Sequence, residues 1–333
     1  MAKKPRQTNK QGRIAFITTP KYRESNPGSI EKFICKNLYS LCQAFDVMTT
    51  GRSYEFIKKR VERSHAEFLA CDLSLMEKDA RFAISGENDL ARWKTVILSG
   101  LQPTMGSFQG MIHIAYELVE GRLDAIIHLT DWQDKSAKPD SAVLSREANV
   151  HNVPIATNVQ TADTYVESWK ASLARIHVGS SIFKKRQEPI EPPLKGIKKN
   201  DKVVAMVAHD NMKLELCRFA VENATYIFKH YDYILATGTT GSWLKRFMEA
   251  TGRGPDEIKK IRCCNSGPLG GDLQIAYAVV KGMCNKIVFL QDPSVSHAHD
   301  SDIRLFEQAT VADGVHVELA TNVESAKLLV FAP

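Results

Sequence analysis

Gly267-Pro268-Leu269-Gly270-Gly271-Asp272 sits between a short apolar run, Ile261 to Asn265, and a helix-like one, Leu273 to Val280. Glycines let the main chain turn tightly and come close to a ligand, and a proline fixes one backbone angle. A carboxylate set on such a turn is held better than one on a solvated helix face. The pattern reads as strand, tight loop, carboxylate, helix. In an open parallel sheet, ligands sit at that crossover. A glycine-rich loop whose aspartate merely caps a helix would look the same, so the neighbouring loops have to decide between the two.

Around this stretch, strands and helices alternate. In the second half, strands are expected at Lys202 to Ala208, Tyr233 to Ala236, Ile261 to Asn265, Lys286 to Leu290 and Val317 to Asn322. Helices are expected at Leu214 to Tyr226, Trp243 to Met248, Ile275 to Lys281 and Asp302 to Asp313. In the first half, strands are expected at Arg13 to Thr19, Asp46 to Thr50, Thr95 to Ser99, Asp124 to Leu129 and Pro154 to Asn158. Ile30 to Phe45, Glu55 to Trp93, Gly106 to Gly121, Ala142 to Val150 and Thr161 to Ile176 read as mainly helical. Between the halves, Gly179 to Asn200 carries Pro189, Pro192, Pro193 and several lysines, which is linker composition.

The halves match each other. Ile114-Ala115-Tyr116-Glu117-Leu118-Val119-Glu120-Gly121 resembles Ile275-Ala276-Tyr277-Ala278-Val279-Val280-Lys281-Gly282, and Ala156-Thr157-Asn158-Val159 resembles Ala320-Thr321-Asn322-Val323. At the first offset Asp131 falls on Asp292. The expectation is two α/β copies with mainly parallel sheets. The division is a disordered basic tail at 1–12, a first domain at 13–178, a linker at 179–200 and a second domain at 201–333.

The chain has 333 residues, 44% hydrophobic and 25% charged, with net charge +6. That is a soluble globular composition, long enough for two cores. Part of the positive excess lies in Lys3-Lys4-Pro5-Arg6 and Lys184-Lys185-Arg186, without the interleaved aromatics of a nucleic-acid module. A small anionic substrate suits the same charge. Seven cysteines without framework spacing or a CxxC pair point to free thiols in a reducing cytoplasm. The N-terminus lacks the apolar core of a secretory signal, and no run approaches a membrane span.

Four strand ends of the second half carry polar groups. Thr237-Gly238-Thr239-Thr240-Gly241 offers hydroxyls and helix N-terminal amides, a phosphate cradle without the Gly-Lys-Ser/Thr of a nucleotide P-loop. Ser266 and Gly267 open a second donor-rich loop. His209-Asp210 end the first strand, and Lys213 follows within a turn, where a cation is unfavourable unless an anion bridges it to the helix. Asp292-Pro293-Ser294-Val295-Ser296-His297-Ala298-His299-Asp300-Ser301-Asp302 could bind a metal or act as acids, bases and donors without one. The first half holds Thr18-Thr19-Pro20, Thr49-Thr50-Gly51-Arg52-Ser53, Pro103-Thr104-Met105-Gly106-Ser107 and Lys138-Pro139-Asp140-Ser141 at the matching places, keeps Asp131, and has no Gly-Gly-Asp turn or counterpart of His299.

The second half resembles methylglyoxal synthase. The resemblance rests on Val207-Ala208-His209-Asp210 with Lys213, Ala236 to Gly241, Ser266 to Asp272, Asp292-Pro293, His299-Asp300 with Asp302, and Ala320-Thr321-Asn322-Val323, over nearly all of 201–326. It implies tandem three-layer domains, flavodoxin-like or Rossmann-like, the first degenerate and the second catalytic. It implies conversion of dihydroxyacetone phosphate to methylglyoxal and inorganic phosphate, without metal or organic cofactor. Asp272 would take the proton and His299 would polarise the carbonyl. Lys213, Thr237, Thr239, Thr240, Ser266 and Gly267 would hold the phosphate, with Gly238 in the same loop. His209, Asp210, Asp292 and Asp302 would shape the pocket and assist proton movement, so that Asp272, His299 and Asp302 form the catalytic set. Phosphate as product and inhibitor and a cytoplasmic homo-oligomer also follow from the resemblance, with neither nucleic acid nor membrane as partner. The alternative is a non-catalytic module of the same fold that senses phosphorylated metabolites. The family's C-terminal helical segment and its arginine are not expected after Asn322. The first half does have such a segment, Tyr165 to His177 with Arg175, and the first copy would stand in for a partner subunit and lend structure to the second.

Overall fold

The structure, a computed structural model, describes residues 10–62, 87–104, 107–131, 138–175, 182–183, 192–292, 300–312 and 314–331. The chain forms two compact units, Met1–Glu188 and Pro189–Pro333. In the first unit β1 (Arg13–Thr18), β2 (Asp46–Thr49), β3 (Leu101–Pro103), β4 (Ala125–Leu129) and β5 (Ile155–Ala156) form a parallel sheet in the order β3-β2-β1-β4-β5. In the second, β6 (Val203–Ala208), β7 (Tyr233–Ala236), β8 (Ile261–Cys263), β9 (Lys286–Leu290) and β10 (Glu318–Ala320) form a parallel sheet in the order β10-β9-β6-β7-β8. Counted from its own first strand, each sheet has the same order.

Every residue of β6 and of β9 is buried, as the valine- and isoleucine-rich runs of a sheet covered on both faces require. Val204, Met206 and Ala208 face a core built with the helices Lys213–Glu222, Ala224–His230, Gly238–Ala250 and Val323–Phe331. Against the other face lie Gly271–Val280 and Asp300–Thr310, with Phe306 edge-on to Phe289 at 5.6 Å. Gly271–Val280 is buried at every position except Tyr277. A helix apolar all round belongs inside, and burying Leu273, Ile275 or Val279 contributes about 1.5–3 kcal/mol each.

Two elements differ from the sequence reading. Thr95 to Ser99 is not a strand; it is the last part of the helix Glu87–Gly100, and the strand comes after it, at Leu101–Pro103. A short apolar run fits either period. Leu90, Trp93 and Ile97, spaced three and four apart, are the buried face. After β10 a nine-residue helix, Val323–Phe331, docks through Ala326, Leu329 and Val330, and the Tyr231 hydroxyl donates to the Val330 carbonyl at 3.0 Å. A helix therefore does follow the last strand, although its sequence has no arginine. Of the charged segment Glu55 to Trp93, residues 63–86 lie outside the described set. Among the described residues, no helix is long and apolar enough to cross a membrane.

Candidate active site

In the second sheet β7 lies on one side of β6 and β9 on the other. The chain therefore reverses its winding at β6, and in open parallel sheets ligands bind outside the carboxyl ends of the strands near such a reversal. An open cleft, continuous with solvent, lies at that edge of the sheet. His209, Asp210 and Lys213 line it from the end of β6, Thr237 and Thr239 from the end of β7, and Gly267 and Asp272 from the segment after β8.

Each group is fixed by local structure. The His209 amide donates to the Leu290 carbonyl at 3.1 Å, and the Asp292 amide donates to His209 Nδ1 at 2.8 Å. An Nδ1 that accepts leaves the ring proton on Nε2. The ring packs edge-on against Phe289, centroids 5.1 Å apart. Lys213 is largely buried and ion-paired with Asp210, whose side chain is 89% exposed. Thr237 takes the N-cap position of Gly238–Ala250, and its hydroxyl donates to that of Thr240 at 3.1 Å. The Gly238 amide donates to the Asn265 carbonyl at 2.8 Å, so the segments after β7 and β8 are tied together.

The carboxylate is held most tightly. Gly267–Leu269 forms a single 3₁₀ turn, and Gly270 adopts φ +90°, a left-handed conformation that glycine reaches without strain. Gly271 then begins the helix so close to the preceding loop that a Cβ there would lie 2.0 Å from the Asn265 carbonyl oxygen. The Asn265 amide donates to Gln274 Oε1 at 2.6 Å, and the Gly271 amide to the Ser266 carbonyl at 3.0 Å. Asp272 is therefore in the first turn of the buried helix rather than ahead of it. It is 4% exposed yet lines the cleft, at the positive end of the helix dipole.

The remaining expected residues fall into three groups. Gly238, Thr240 and Ser266 support the cleft wall: Thr240 is buried behind Thr237, and the Ser266 carbonyl accepts from Leu269 and Gly271. Asp292 stands beside the wall, holding His209 through its amide and accepting from Asn211 Nδ2 at 2.8 Å. His297 and His299 lie outside the described residues, and Asp302 falls in the first turn of Asp300–Thr310 with its side chain outside the described set. Three contributors escaped the sequence reading. Gln274 was signalled by a lone amide in an apolar helix, and it is fully buried. Phe289 looked like ordinary strand core and lines the cleft as well. Asn211 carried no signal beyond a polar turn.

No protein-family model matches the chain. Over 129 residues, 39% of this chain and 92% of the relative, it is 37% identical to a methylglyoxal synthase of Thermus thermophilus. The chain belongs to the methylglyoxal synthase family. It is also 39% identical over 129 residues, 85% of the relative, to the methylglyoxal synthase of Clostridioides difficile strain 630. A crystal structure of methylglyoxal synthase from Elizabethkingia anophelis NUHP1 aligns at 30% identity and a TM-score of 0.33, over 40% of this chain and 79% of that one. The matched length is close to that of the motif run 201–326, so methylglyoxal synthase homology accounts for part of the chain and leaves the rest to be explained on its own residues.

Proposed function

We propose that the second unit converts dihydroxyacetone phosphate to methylglyoxal and inorganic phosphate. One observation carries this reading: a nearly buried carboxylate, Asp272, shares a small cleft with a buried ammonium and a hydroxyl-lined helix N-terminus. Lys213, Thr237, Thr239 and the Gly267 amide hold the phosphate by charge-assisted and helix N-terminal hydrogen bonds. Asp272 removes a proton from the hydroxymethyl carbon, on the side of the carbonyl away from the phosphoester. The carbonyl π electrons move to oxygen, where a donor stabilises the enediolate. His209 Nε2–H is one donor from the described residues, and His299 is the one the resemblance implies. The enediolate collapses, the carbon–oxygen bond to phosphate breaks, and phosphate leaves with its electron pair. The enol that remains takes a proton at carbon and becomes methylglyoxal. Atoms balance without an oxidant or reductant.

A module that only sensed phosphorylated metabolites would use the phosphate corner and have no need of a carboxylate sunk into the same cleft. We also propose that the first unit is a degenerate copy of the second. Five hydrogen bonds recur at matching places. Thr19 and His209 donate their amides to Leu129 and Leu290, and Asp131 and Asp292 donate theirs to the side chains of Thr19 and His209. Thr130 and Gln291 bond to Thr157 and Thr321, Thr104 and Cys264 to Thr49 and Ala236, and the hydroxyl pair Thr50–Ser53 answers Thr237–Thr240. The division at 13–178, 179–200 and 201–333 belongs to this proposal.

The test is direct. Purified full-length protein is incubated with dihydroxyacetone phosphate, and methylglyoxal and phosphate are measured together for wild type and Asp272→Asn. Equimolar release from wild type and a loss on the order of 1,000-fold or more in the variant are expected. Phosphate release without methylglyoxal, or an active Asp272→Asn enzyme, would sink the assignment.

A further inference from the structure

The first unit has the same strand order, and at its equivalent edge stands a cluster of arginines. Arg23 lies five residues past the end of β1, as Lys213 lies five past the end of β6; Arg52 lies three past β2, as Thr239 lies three past β7. Beside them the hydroxyl pair is kept: Thr50 donates to Ser53 at 2.9 Å, and Ser53 Oγ also accepts from the Thr18 amide at 3.1 Å. Both hydroxyls are buried at the start of the eleven-residue helix Gly51–Val61, which has no acidic residue in its first turn.

This cluster is set against itself. Arg52, Phe56 and Arg60 are four apart and share one face of that helix. The Arg60 guanidinium sits 3.7 Å over the Phe56 ring, and the Arg23 guanidinium lies 5.6 Å from the same ring. The two positive groups can thus be no farther apart than those distances combined. Burial, then Arg52 and Arg60, push the Arg23 pKa down, with Glu24 opposing. Arg23 Nη1 is buried, and among the described residues it has no hydrogen-bond partner. A guanidinium left so costs stability unless something accepts from it. Yet the position of the catalytic carboxylate is empty of chemistry. At the offset that aligns Ile114 with Ile275, Met111 stands where Asp272 would fall, and Met111 is buried.

We infer that the first unit binds a phosphoryl group, as inorganic phosphate or as a phosphomonoester, between Arg23 and Arg52 beside the N-terminus of Gly51–Val61, and does no chemistry on it. Two guanidiniums beside helix N-terminal amides suit a tetrahedral dianion, which takes bidentate donors from each arginine; the buried Thr50 and Ser53 hydroxyls, which donate to Ser53 and to the Thr18 carbonyl, brace the start of that helix. The ligand supplies the acceptor that Arg23 Nη1 lacks and neutralises the repulsion. The site stands on the first unit's own residues, so it survives even where the second unit's proposed reaction does not.

The experiment separates the two clefts on the full chain. Inorganic phosphate and, separately, glycerol 3-phosphate are titrated calorimetrically into wild type, Lys213→Gln, Arg52→Gln and Arg23→Gln/Arg52→Gln in the Lys213→Gln background, at constant ionic strength set with chloride. Lys213→Gln should keep one binding event. Arg52→Gln, an exposed position whose change leaves the fold intact, should weaken that event about tenfold, and the double arginine variant should abolish it. Stronger binding of glycerol 3-phosphate than of phosphate identifies an ester as the ligand, and equal binding identifies the free ion. In a parallel melting experiment, phosphate should raise the Tm of the Lys213→Gln protein and leave that of the arginine variants unmoved. Titration curves in the Lys213→Gln background that are the same with and without the arginines would overturn the inference, as would the absence of any binding there. Activity with dihydroxyacetone phosphate is read separately, and its loss leaves these outcomes untouched.

Discussion

Replacing Gly271 by alanine puts the bracing of the carboxylate to the test. The new Cβ would lie 2.0 Å from the Asn265 carbonyl oxygen, and real Cβ atoms essentially never come within 3.0 Å of a neighbour. A shift of at least about 1 Å must be found somewhere. The loop side resists, because the Asn265 carbonyl accepts from Gly238 and its amide is held by Gln274. The helix start has to move, and Asp272 is the next residue. A misplacement of about 1 Å at a reacting group costs on the order of 100-fold in rate, about 2.7 kcal/mol in the barrier. Overpacking adds about 1–3 kcal/mol of lost stability. Steady-state kinetics with dihydroxyacetone phosphate should therefore give kcat down about 100-fold. KM should change little, since Lys213 and Thr237 stand on other crossovers. Gly28→Ala is the control: it lies in a helix with nothing within 4 Å of the new methyl, and it should gain up to about 1 kcal/mol. An active Gly271→Ala enzyme with unchanged Tm would refute the reasoning, because it would mean that the loop yields freely and does not aim the carboxylate.

Lys213→Met should lower kcat/KM by roughly 10- to 100-fold, the worth of one hydrogen bond to a charged group; a smaller effect would remove the lysine from the phosphate corner. His128, fully buried on β4 with no partner for either ring nitrogen among the described residues, has its pKa pushed down to about 4 by burial. Its contribution is full above the unfolded value of 6.5 and is lost as pH falls from there towards 4, about 3 kcal/mol in all. His128→Phe, which copies the matching Phe289, should flatten that part of the pH dependence in urea titrations, and parallel curves for wild type and variant would contradict the assignment. Burial pushes the Cys42 and Cys284 thiols up to about 12 and Cys217 to about 11. Thiol labelling of native protein at about pH 8, mapped by mass, should find Cys35 and Cys263 well before these three; prompt labelling of Cys42 or Cys284 would count against the packing described.

The alternation of strands and helices and the parallel sheets were legible because fully buried strands leave continuous apolar runs, such as Val203 to Ala208. The third strand was misplaced because Val96-Ile97-Leu98 fits a helix end as well as a strand, and only the partners of Trp93 and Ile97 choose. At the site, the residue types at the crossovers were the signal, and Lys213, Thr237 and Asp272, singled out by them, line one cleft. What could not be read was support at long range. Nothing near Gln274 says that its amide holds a loop nine residues back, and nothing near Phe289 says that its ring meets His209. The arginines of the first unit were visible only as scattered charges until the fold brought Arg23 to the ring of Phe56.

The helix that begins at Gly271 has almost no side open to water, and this limits how the protein can fail. A surface helix can fray, exchange its amides and re-form while the core stays intact. This one has no such intermediate, because releasing it means opening the centre of its unit. Its amides should therefore be among the slowest to exchange with deuterated solvent, and turnover should vanish at the same urea concentration at which the whole unit melts. Selection for a fixed carboxylate and selection for a durable core then act on the same ten residues, which leaves little room to trade one against the other.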